Sequence, residues 1–235
     1  MCLIALAHRA HPRWPLVIAA NRDEFYARPT RAAHWWDDAP DVFGGRDLRA
    51  GGSWMAMTRG GRFAMVTNVR GIGLAEAGPD TPSRGTLVGD FVRGPARPLE
   101  FAQQVERERY QGFHLVCGEA GGVVAHVSTD AAARVLEPGI FAVSNAPSSI
   151  DWPKIAYARE AMERALASDD IKQELMRFLT TPRGGAIENE VFVSVPEMGY
   201  GTRSSTVVLV AADGSIDFTE RSGGGEARFQ SPSPS

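Results

Sequence analysis

The sequence predicts an α+β fold, most simply a four-layer α/β/β/α sandwich in which two antiparallel sheets lie between layers of helices. Two observations lead to this prediction. Eight or nine short apolar runs are separated by turn residues, which is typical of antiparallel hairpins. Two groups of helical segments fall between these runs. Because no internal repeat or linker interrupts the 235 residues, we expect a single domain over residues 1–221 and a disordered tail over residues 222–235.

The first predicted element is a hairpin of two apolar strands, residues 2–7 and 16–20. If the strands pair about the proline-containing loop between them, Cys2 lies opposite Asn21. A polar run, residues 21–24, directly follows the second strand. A slip of two residues leaves this run at the same end of the hairpin. We therefore expect the polar run to lie beside the Cys2 thiol.

The next segment, residues 25–52, is predicted to be a long loop, because it holds two prolines, a tryptophan pair and adjacent aspartates. A hairpin follows, with strands over residues 53–57 and 62–68. Its second strand ends in a polar group that contains Asn68. Long loops and polar strand ends are common places for functional side chains.

Helices are predicted over residues 83–92, 98–110, 152–167 and 169–179, where apolar residues recur at helical spacing. Asp151 is the expected N-cap of the third helix, with a proline in its first turn.

Between the helix pairs, the region 113–128 is predicted to form a hairpin. His114 and His126 face each other across it. They could bind a ligand, but we interpret them as a polar pair on the solvent side. Cys117 is interpreted as a packed core thiol. Further strands are predicted over residues 140–143, 191–195, 205–211 and 215–220.

Composition excludes several classes of protein. The formal net charge of −3 leaves no broad basic field for nucleic acid. The first apolar run of six residues is too short for a signal peptide or a membrane span, so we expect a cytoplasmic protein. Cys2 and Cys117 do not form a disulfide framework, and the five histidines show no zinc pattern. We therefore expect no metal site.

The start of the chain suggests a nucleophile. Removal of Met1 would leave Cys2 with a free α-amine, which titrates at about 7.7–8.0 in model peptides. Such an amine can take the proton of its own thiol. Asp23 could hold the amine, while Arg22 or Glu24 holds a loop or a ligand. The alternative is that Cys2 is a small apolar residue that begins a buried strand.

Six short motifs are spread along the chain. They are Met1-Cys2 with Ala20-Asn21-Arg22-Asp23-Glu24, Gly51-Gly52-Ser53-Trp54, Thr67-Asn68-Val69-Arg70, Ser83-Arg84-Gly85, Val143-Ser144-Asn145-Ala146, and Tyr200-Gly201-Thr202-Arg203-Ser204-Ser205-Thr206. Together they make the chain similar to the NRDE family, also called the transport-and-Golgi-organisation-2-like family. The resemblance implies a fold like that of the N-terminal nucleophile hydrolases, which include cysteine acylases that cleave penicillin V and conjugated bile salts.

The resemblance also implies roles for individual residues. Cys2 matches the nucleophile, Asp23 the residue that orients it, and Asn145 the donor to the oxyanion. The residues alone favour the alternative that Asn145 is a turn residue before Pro147. Asn68 matches a second polar residue at a strand end. The acylases carry an arginine where this chain has Ala20.

Arg203 is a candidate for the positive charge that is missing at position 20. It lies in a loop that enters a strand, where it could meet a substrate carboxylate or a haem propionate, or be an ordinary surface residue. Asn21, Arg22, Glu24 and Arg203 are therefore predicted to be either ligand-binding or structural.

Two functional hypotheses remain open. In the first, the protein is an N-terminal-cysteine amidohydrolase that cleaves a small acyl amide and needs no cofactor. In the second, it is a non-catalytic trafficking protein that binds haem or an acyl-CoA-like ligand in the same cleft, as the resemblance to eukaryotic members linked to haem trafficking implies. A third, blander reading is an interaction module that has lost its chemistry. The amidohydrolase and the trafficking hypotheses both predict a small-molecule partner. None of the three predicts an oligomeric state.

Overall fold

A computed structural model describes residues 2–73, 78 and 80–231. Its strands are β1 (Leu3–His8), β2 (Leu16–Phe25), β3 (Thr30–Trp36), β4 (Ala39–Asp47), β5 (Met55–Thr58), β6 (Arg62–Gly73), β7 (Gln111–Glu119), β8 (Val124–Ser128), β9 (Ala131–Val135), β10 (Gly139–Val143), β11 (Ser194–Val195), β12 (Tyr200–Val210), β13 (Ile216–Ser222) and β14 (Gly225–Ser231). Its α-helices are α1 (Arg84–Arg93), α2 (Pro98–Gln104), α3 (Pro153–Leu166) and α4 (Ile171–Thr180). The fold is α+β, with two antiparallel sheets and four helices, as the sequence predicts.

The chain divides into two compact units that are interleaved in sequence. The first unit consists of Met1–Arg28, Glu137–Ser144 and Asp151–Ser235, and the second consists of Pro29–Leu136 and Asn145–Ile150. Each unit contains one sheet and two of the helices. The predicted single domain therefore corresponds to two compact units.

The sheet of the first unit has the strand order β10-β1-β2-β12-β13-β14, with β11 paired to β12. Alternate residues of β1 and β2 face α3 and α4, because successive side chains of a strand point to opposite faces. The buried cluster on this face includes the following side chains: Leu3, Ala5, Ala7, Val17, Ala19, Ile155, Ala158, Met162, Leu175 and Leu179.

The register of the first hairpin differs from the prediction by one residue. The predicted pairing of Cys2 with Asn21 is wrong, because Leu3 lies opposite Asn21. The cause is His8, which was predicted to begin the loop. It is buried and pairs with Leu16 as the last residue of β1. The antiparallel pairing itself is confirmed, and Cys2 and the polar run lie at the same end of the hairpin.

The sheet of the second unit follows the chain, in the order β3-β4-β5-β6-β7-β8-β9. Helix α1 lies where it is predicted, to within one residue, and its N-cap is Ser83, whose hydroxyl accepts a hydrogen bond from the Gly85 amide. The helix packs Leu87, Val88 and Phe91 onto the sheet. Among the described residues, none of the helices combines the length and the apolar character needed to cross a membrane. The cytoplasmic location stays a prediction.

The predicted loop over residues 25–52 is wrong, because β3 and β4 occupy most of it. The tryptophan pair anchors a strand. Trp36 is buried at the end of β3, and its indole N–H donates a 3.0 Å hydrogen bond to the carbonyl of Gly44 in β4. Cross-strand packing of this kind outweighs the proline and aspartate content that favours a loop.

The predicted disordered tail is wrong for residues 225–231, which form β14 beside β13. The glycine run before it is the turn of a hairpin, since Gly225 has φ = 113°, which favours glycine. Phe229 is buried opposite Phe218 and secures the strand. Residues 232–235 lie outside the described part of the chain.

The predicted N-cap of the third helix is wrong, because Trp152 holds that position in α3 and Asp151 pairs instead with Arg159 at 3.6 Å. Two further boundaries differ. The helix predicted over 98–110 ends at Gln104, and a 3₁₀ turn follows at Arg107–Arg109. The strand predicted over 191–195 is reduced to Ser194–Val195.

Candidate active site

Cys2 and Asp23 are neighbours at one end of the first unit's sheet. The Cys2 Sγ lies 3.9 Å from the backbone oxygen of Asp23, to which the thiol can donate. On the other side, the Ser144 hydroxyl donates a 2.7 Å hydrogen bond to the carbonyl of Cys2. Ser144 directly follows β10, the strand that pairs with β1. The half-buried cysteine is therefore held between the two strands that flank β1.

The carboxyl group of Asp23 is buried and oriented by a chain of hydrogen bonds. The Thr202 hydroxyl donates to Asp23 Oδ1 at 2.6 Å, and its oxygen accepts the Val193 amide at 2.9 Å. Because the amide occupies the acceptor side of that hydroxyl, its single hydrogen is directed at Asp23. The Tyr200 hydroxyl donates to the backbone oxygen of Asp23 at 3.3 Å.

Burial and the neighbouring groups act in opposite directions on the pKa of Asp23. Burial raises the pKa of the Asp23 carboxyl above its ordinary value, while the Thr202 hydrogen bond and the charge of Lys154 lower it. Lys154 is itself buried, with 1% of its surface exposed. The site thus holds a carboxyl group that water does not stabilise and that depends on protein groups for its charge.

Asn21 is held by the backbone of distant segments. Its side-chain amide donates to the carbonyls of Leu179 and Val191, both at 2.8 Å. These bonds join β2 to the end of α4 and to the chain before β11. Arg22 is also buried, and the alternation of β2 places it on the opposite face of the sheet from Asn21 and Asp23.

Glu24 and Arg203 shape the turn that follows β2. Glu24 is half-buried, and its carboxylate accepts the amide of Phe25 at 2.8 Å. Arg203 lies at a bulge of β12, which redirects its side chain. Its Nη1 donates to the carbonyls of Phe25, Tyr26 and Arg28 at 2.9, 3.0 and 3.3 Å. These contacts are those of a structural residue, and binding of a substrate anion by Arg203 stays a prediction.

Asn68 and Asn145 meet in the second unit. The buried Asn145 amide donates to the Thr67 hydroxyl at 3.0 Å and to the carbonyl of Asn68 at 2.6 Å, so both of its hydrogens are engaged. Asn68 contributes its backbone, and its side chain is exposed. The Arg70 amide donates to the carbonyl of Asn145. The oxyanion role that the resemblance implies for Asn145 stays a prediction, and it requires one of these bonds to open.

The interpretation of His114 and His126 as a solvent-side pair is wrong, because both are buried. Their rings stack with His114 Nδ1 3.1 Å from His126 Nε2, and His114 Nε2 lies 2.8 Å from the carbonyl of Ala146. Since a carbonyl can only accept, His114 Nε2 carries the hydrogen and His126 Nε2 donates to His114 Nδ1. Burial lowers the pKa of both rings, that of His126 to about 3.

Sequence reasoning assigned no role to four contributors to the Cys2–Asp23 site, namely Ser144, Tyr200, Thr202 and Lys154. Ser144 and Tyr200 lie, like Thr202, within family motifs. Thr202 had a signal, since it lies within one of the family motifs, but no role was assigned to it. Lys154 had none, because a lysine in the first turn of an amphipathic helix is normally solvent-exposed. Across the residues that the structure describes, no group of three or more histidine, cysteine or acidic side chains is arranged to hold a metal ion. Haem binding stays a prediction, with a saturable Soret shift as its test.

Comparison with known proteins gives one family. A sequence profile described as "Transport and Golgi organisation 2" matches residues 1–223. The chain is 33% identical over 261 residues to the Transport and Golgi organization protein 2 homolog of Bos taurus, covering 94% of this chain and 93% of the relative. The Homo sapiens homolog is 30% identical over 259 residues, with the same coverage.

Among solved structures, the fold resembles that of a conjugated bile acid hydrolase from Clostridium perfringens, crystallised as its C2A mutant. The TM-score is 0.54, and the match covers 98% of this chain and 92% of that chain. The identity is 9%, so this likeness concerns the fold. The predicted N-terminal nucleophile hydrolase-like fold is confirmed.

Proposed function

The chain belongs to the Transport and Golgi organisation 2 family, and we propose that it is a cysteine amidohydrolase that cleaves the C–N bond of a small acyl amide. The observation that supports this most directly is the position of Cys2. Its half-buried thiol directly precedes β1 and lies 3.9 Å from the backbone oxygen of Asp23, the residue whose buried carboxyl group Thr202 orients. A conjugated bile acid hydrolase is built on a similar fold.

The chemistry needs Met1 to be removed, and Met1 lies outside the described residues. The exposed α-amine of Cys2 takes the proton of the thiol, and the thiolate attacks the carbonyl carbon of the amide. The tetrahedral intermediate collapses as the C–N bond breaks and the leaving amine takes that proton. Water then attacks the thioester, which releases the carboxylic acid and restores the thiol.

Asp23 has a defined part in this scheme. A carboxylate beside Cys2 can accept a hydrogen bond from the α-amine and so fix the direction of its lone pair towards the thiol. Thr202 keeps Asp23 Oδ1 in place through the 2.6 Å hydrogen bond. Ser144 holds the Cys2 carbonyl, which limits rotation of the nucleophile's backbone.

Intact mass and covalent labelling test the proposal. Mass measured on the protein from its native source reports whether Met1 is absent, and an electrophilic acyl probe then reports the reactivity of Cys2. We expect labelling to be lost in both Cys2→Ser and Cys2→Ala. Cys117→Ala is the matched control, since Cys117 is fully buried and burial raises its pKa to about 12. Retained Met1, or equal labelling in the Cys2 variants, would contradict the proposal.

A further inference from the structure

Lys154 places an ammonium group inside the first unit. It is the second residue of α3, and 1% of its surface is exposed. A buried ammonium loses its hydration, at an effective cost of several kcal/mol unless other groups compensate. Its Nζ lies 5.4 Å from the centre of the Trp152 ring. A cation–π contact of this kind offsets only part of that cost. The burial of Lys154 therefore points to an anion on the same side of the sheet.

Helix α3 brings this residue to the strands that carry Cys2. The helix packs against β1 and β10. Cys2 directly precedes β1, and Ser144, which binds the Cys2 carbonyl, directly follows β10. Ile155, the residue after Lys154, belongs to the same buried cluster as Leu3, the residue after Cys2.

Asp23 projects from β2 towards the same side. Val17 and Ala19 pack in the cluster beneath α3 and α4, and Asn21 donates to the Leu179 carbonyl of α4. Asp23 is the next residue in this alternation, so its carboxyl group faces the helices. Burial raises the pKa of Asp23, and the charges of the N-terminus and of Lys154 both lower it, the N-terminus by more.

We propose that Lys154 is a second cation of the Cys2–Asp23 site, beside the N-terminal amine, and acts as a positioning residue that keeps Asp23 ionised and stabilises the Cys2 thiolate. A positive charge nearby lowers the free energy of both anions. This inference rests on the proposed function in one respect, namely that the Cys2 thiol is the reacting group.

Ala20 carries no charge, and two arginines near the site are directed away from Asp23. Nη1 of Arg203 binds three carbonyls of the turn after β2, and Arg22 lies on the opposite face of the sheet from Asp23. A charge delivered from α3 therefore replaces one that Ala20 cannot supply from β2.

The test is the pH dependence of Cys2 alkylation by iodoacetamide, measured on the full chain with Cys117→Ala as background. For Lys154→Met we expect the rate at pH 7 to fall about tenfold and the profile to move up by about one pH unit, since one unit corresponds to a tenfold change in the ionised fraction. Lys154→Arg keeps the charge and should retain most of the rate. Identical profiles for the parent and Lys154→Met would overturn the proposal.

Lys172→Met is the matched control. Lys172 lies in α4 of the same unit and binds Asp217 at 2.8 Å, so its loss removes a lysine and an ion pair without touching Asp23. We expect its alkylation profile to match that of the parent. An equal shift in this control would assign the effect to net charge and overturn the role of Lys154.

A second measurement covers the case in which Lys154→Met unfolds. Asp23→Asn combined with Lys154→Met removes both buried charges, whereas each single change leaves one charge without its partner. We expect the urea midpoint of the double variant to exceed that of either single variant. A midpoint lowered by the sum of the two single shifts would overturn the coupling.

These measurements are independent of turnover. A shifted alkylation profile without formation of an acyl-enzyme would support Lys154 and contradict the proposed hydrolysis. Acyl-enzyme formation with an unchanged alkylation profile would support the proposed hydrolysis and contradict the role of Lys154.

Discussion

The two compact units hold their buried polar clusters in different ways. In the proposed arrangement the cluster of the first unit is ionic, and the Asp23 carboxyl and the Lys154 ammonium are both buried. The cluster of the second unit is neutral, with the Asn145 amide and the imidazoles of His114 and His126 joined by hydrogen bonds. Both are buried, but only the first depends on balanced charge.

This difference corresponds to different tasks. Hydrogen bonds between neutral groups fix a backbone segment at little electrostatic cost, and the second unit uses them on residues 145 and 146, where His114 binds the Ala146 carbonyl. The next contact is charged but exposed: the Asp130 carboxylate accepts both the amide and the hydroxyl of Ser148, at 2.7 and 2.9 Å. A buried ion pair is costly to assemble, but it sets the charge of a neighbouring reactive group.

Removal of the Asp23 carboxylate should have the largest effect. Asp23→Ala leaves the buried Lys154 ammonium without its anion, and loss of one partner of a buried pair costs about 3–5 kcal/mol. Urea unfolding followed by circular dichroism measures this. Asp217→Ala is the control, because its side chain is 20% exposed and its pairing with Lys172 and Arg228 is partly screened, so about 1 kcal/mol is expected. Equal losses in the two variants would show that the Asp23 site is not ionic.

Substitutions in the neutral cluster of the second unit should lower the free energy of unfolding by less. His114→Ala removes the bond to Ala146 and leaves the His126 Nε2 hydrogen without its acceptor, at a cost of about 2–3 kcal/mol in the same urea assay. His34→Ala is the control, since His34 is half-buried and bonds only locally, to the carbonyl of Ala32 at 2.7 Å. A loss no greater than that of His34→Ala would contradict the described histidine pair.

Acid should separate the two clusters. Because the pKa values of His114 and His126 are lowered by burial, the unfolded chain binds more protons than the folded chain as pH falls below about 6.5. The free energy of unfolding should therefore decrease as pH decreases, by up to about 1.4 kcal/mol per pH unit for each histidine. The raised pKa of Asp23 acts in the opposite direction, since the folded chain then binds the extra proton.

The measurement for this pH effect is the free energy of unfolding in urea at pH 7.5 and 5.5, compared with that of His114→Phe combined with His126→Phe. His8, whose pKa is also lowered, is present in both proteins and cancels. The double variant should lose most of the pH dependence. An unchanged dependence would mean that the pair is not the source of acid sensitivity.

The smallest effect is expected at Arg203. Arg203→Ala releases the carbonyls of Phe25, Tyr26 and Arg28 in an exposed turn, which should cost about 1 kcal/mol. Limited proteolysis should cleave this turn faster. If proteolysis were unchanged while the KM for an acyl amide rose, Arg203 would bind substrate rather than hold the turn.

Local patterns predicted much of the fold because they follow from short-range sterics. The first hairpin, helix α1 and the helix pair α3 and α4 all appear where periodicity and strand patterns place them, to within a few residues. The register of the hairpin was one residue off, because the pattern does not show whether His8 ends a strand or begins a loop. Residues 25–52 were assigned to a loop because cross-strand burial of Trp36 is not visible in composition.

The sequence by itself determined the family and the neighbourhood of Cys2, since its motifs and its first apolar strands bring the thiol and Asp23 to one end of a hairpin. Only the tertiary structure decided the charge of that neighbourhood. A lysine side chain can reach either solvent or the interior from the first turn of a helix. The packing of α3 on β1 and β10 places Lys154 in the interior, and no local pattern encodes that choice.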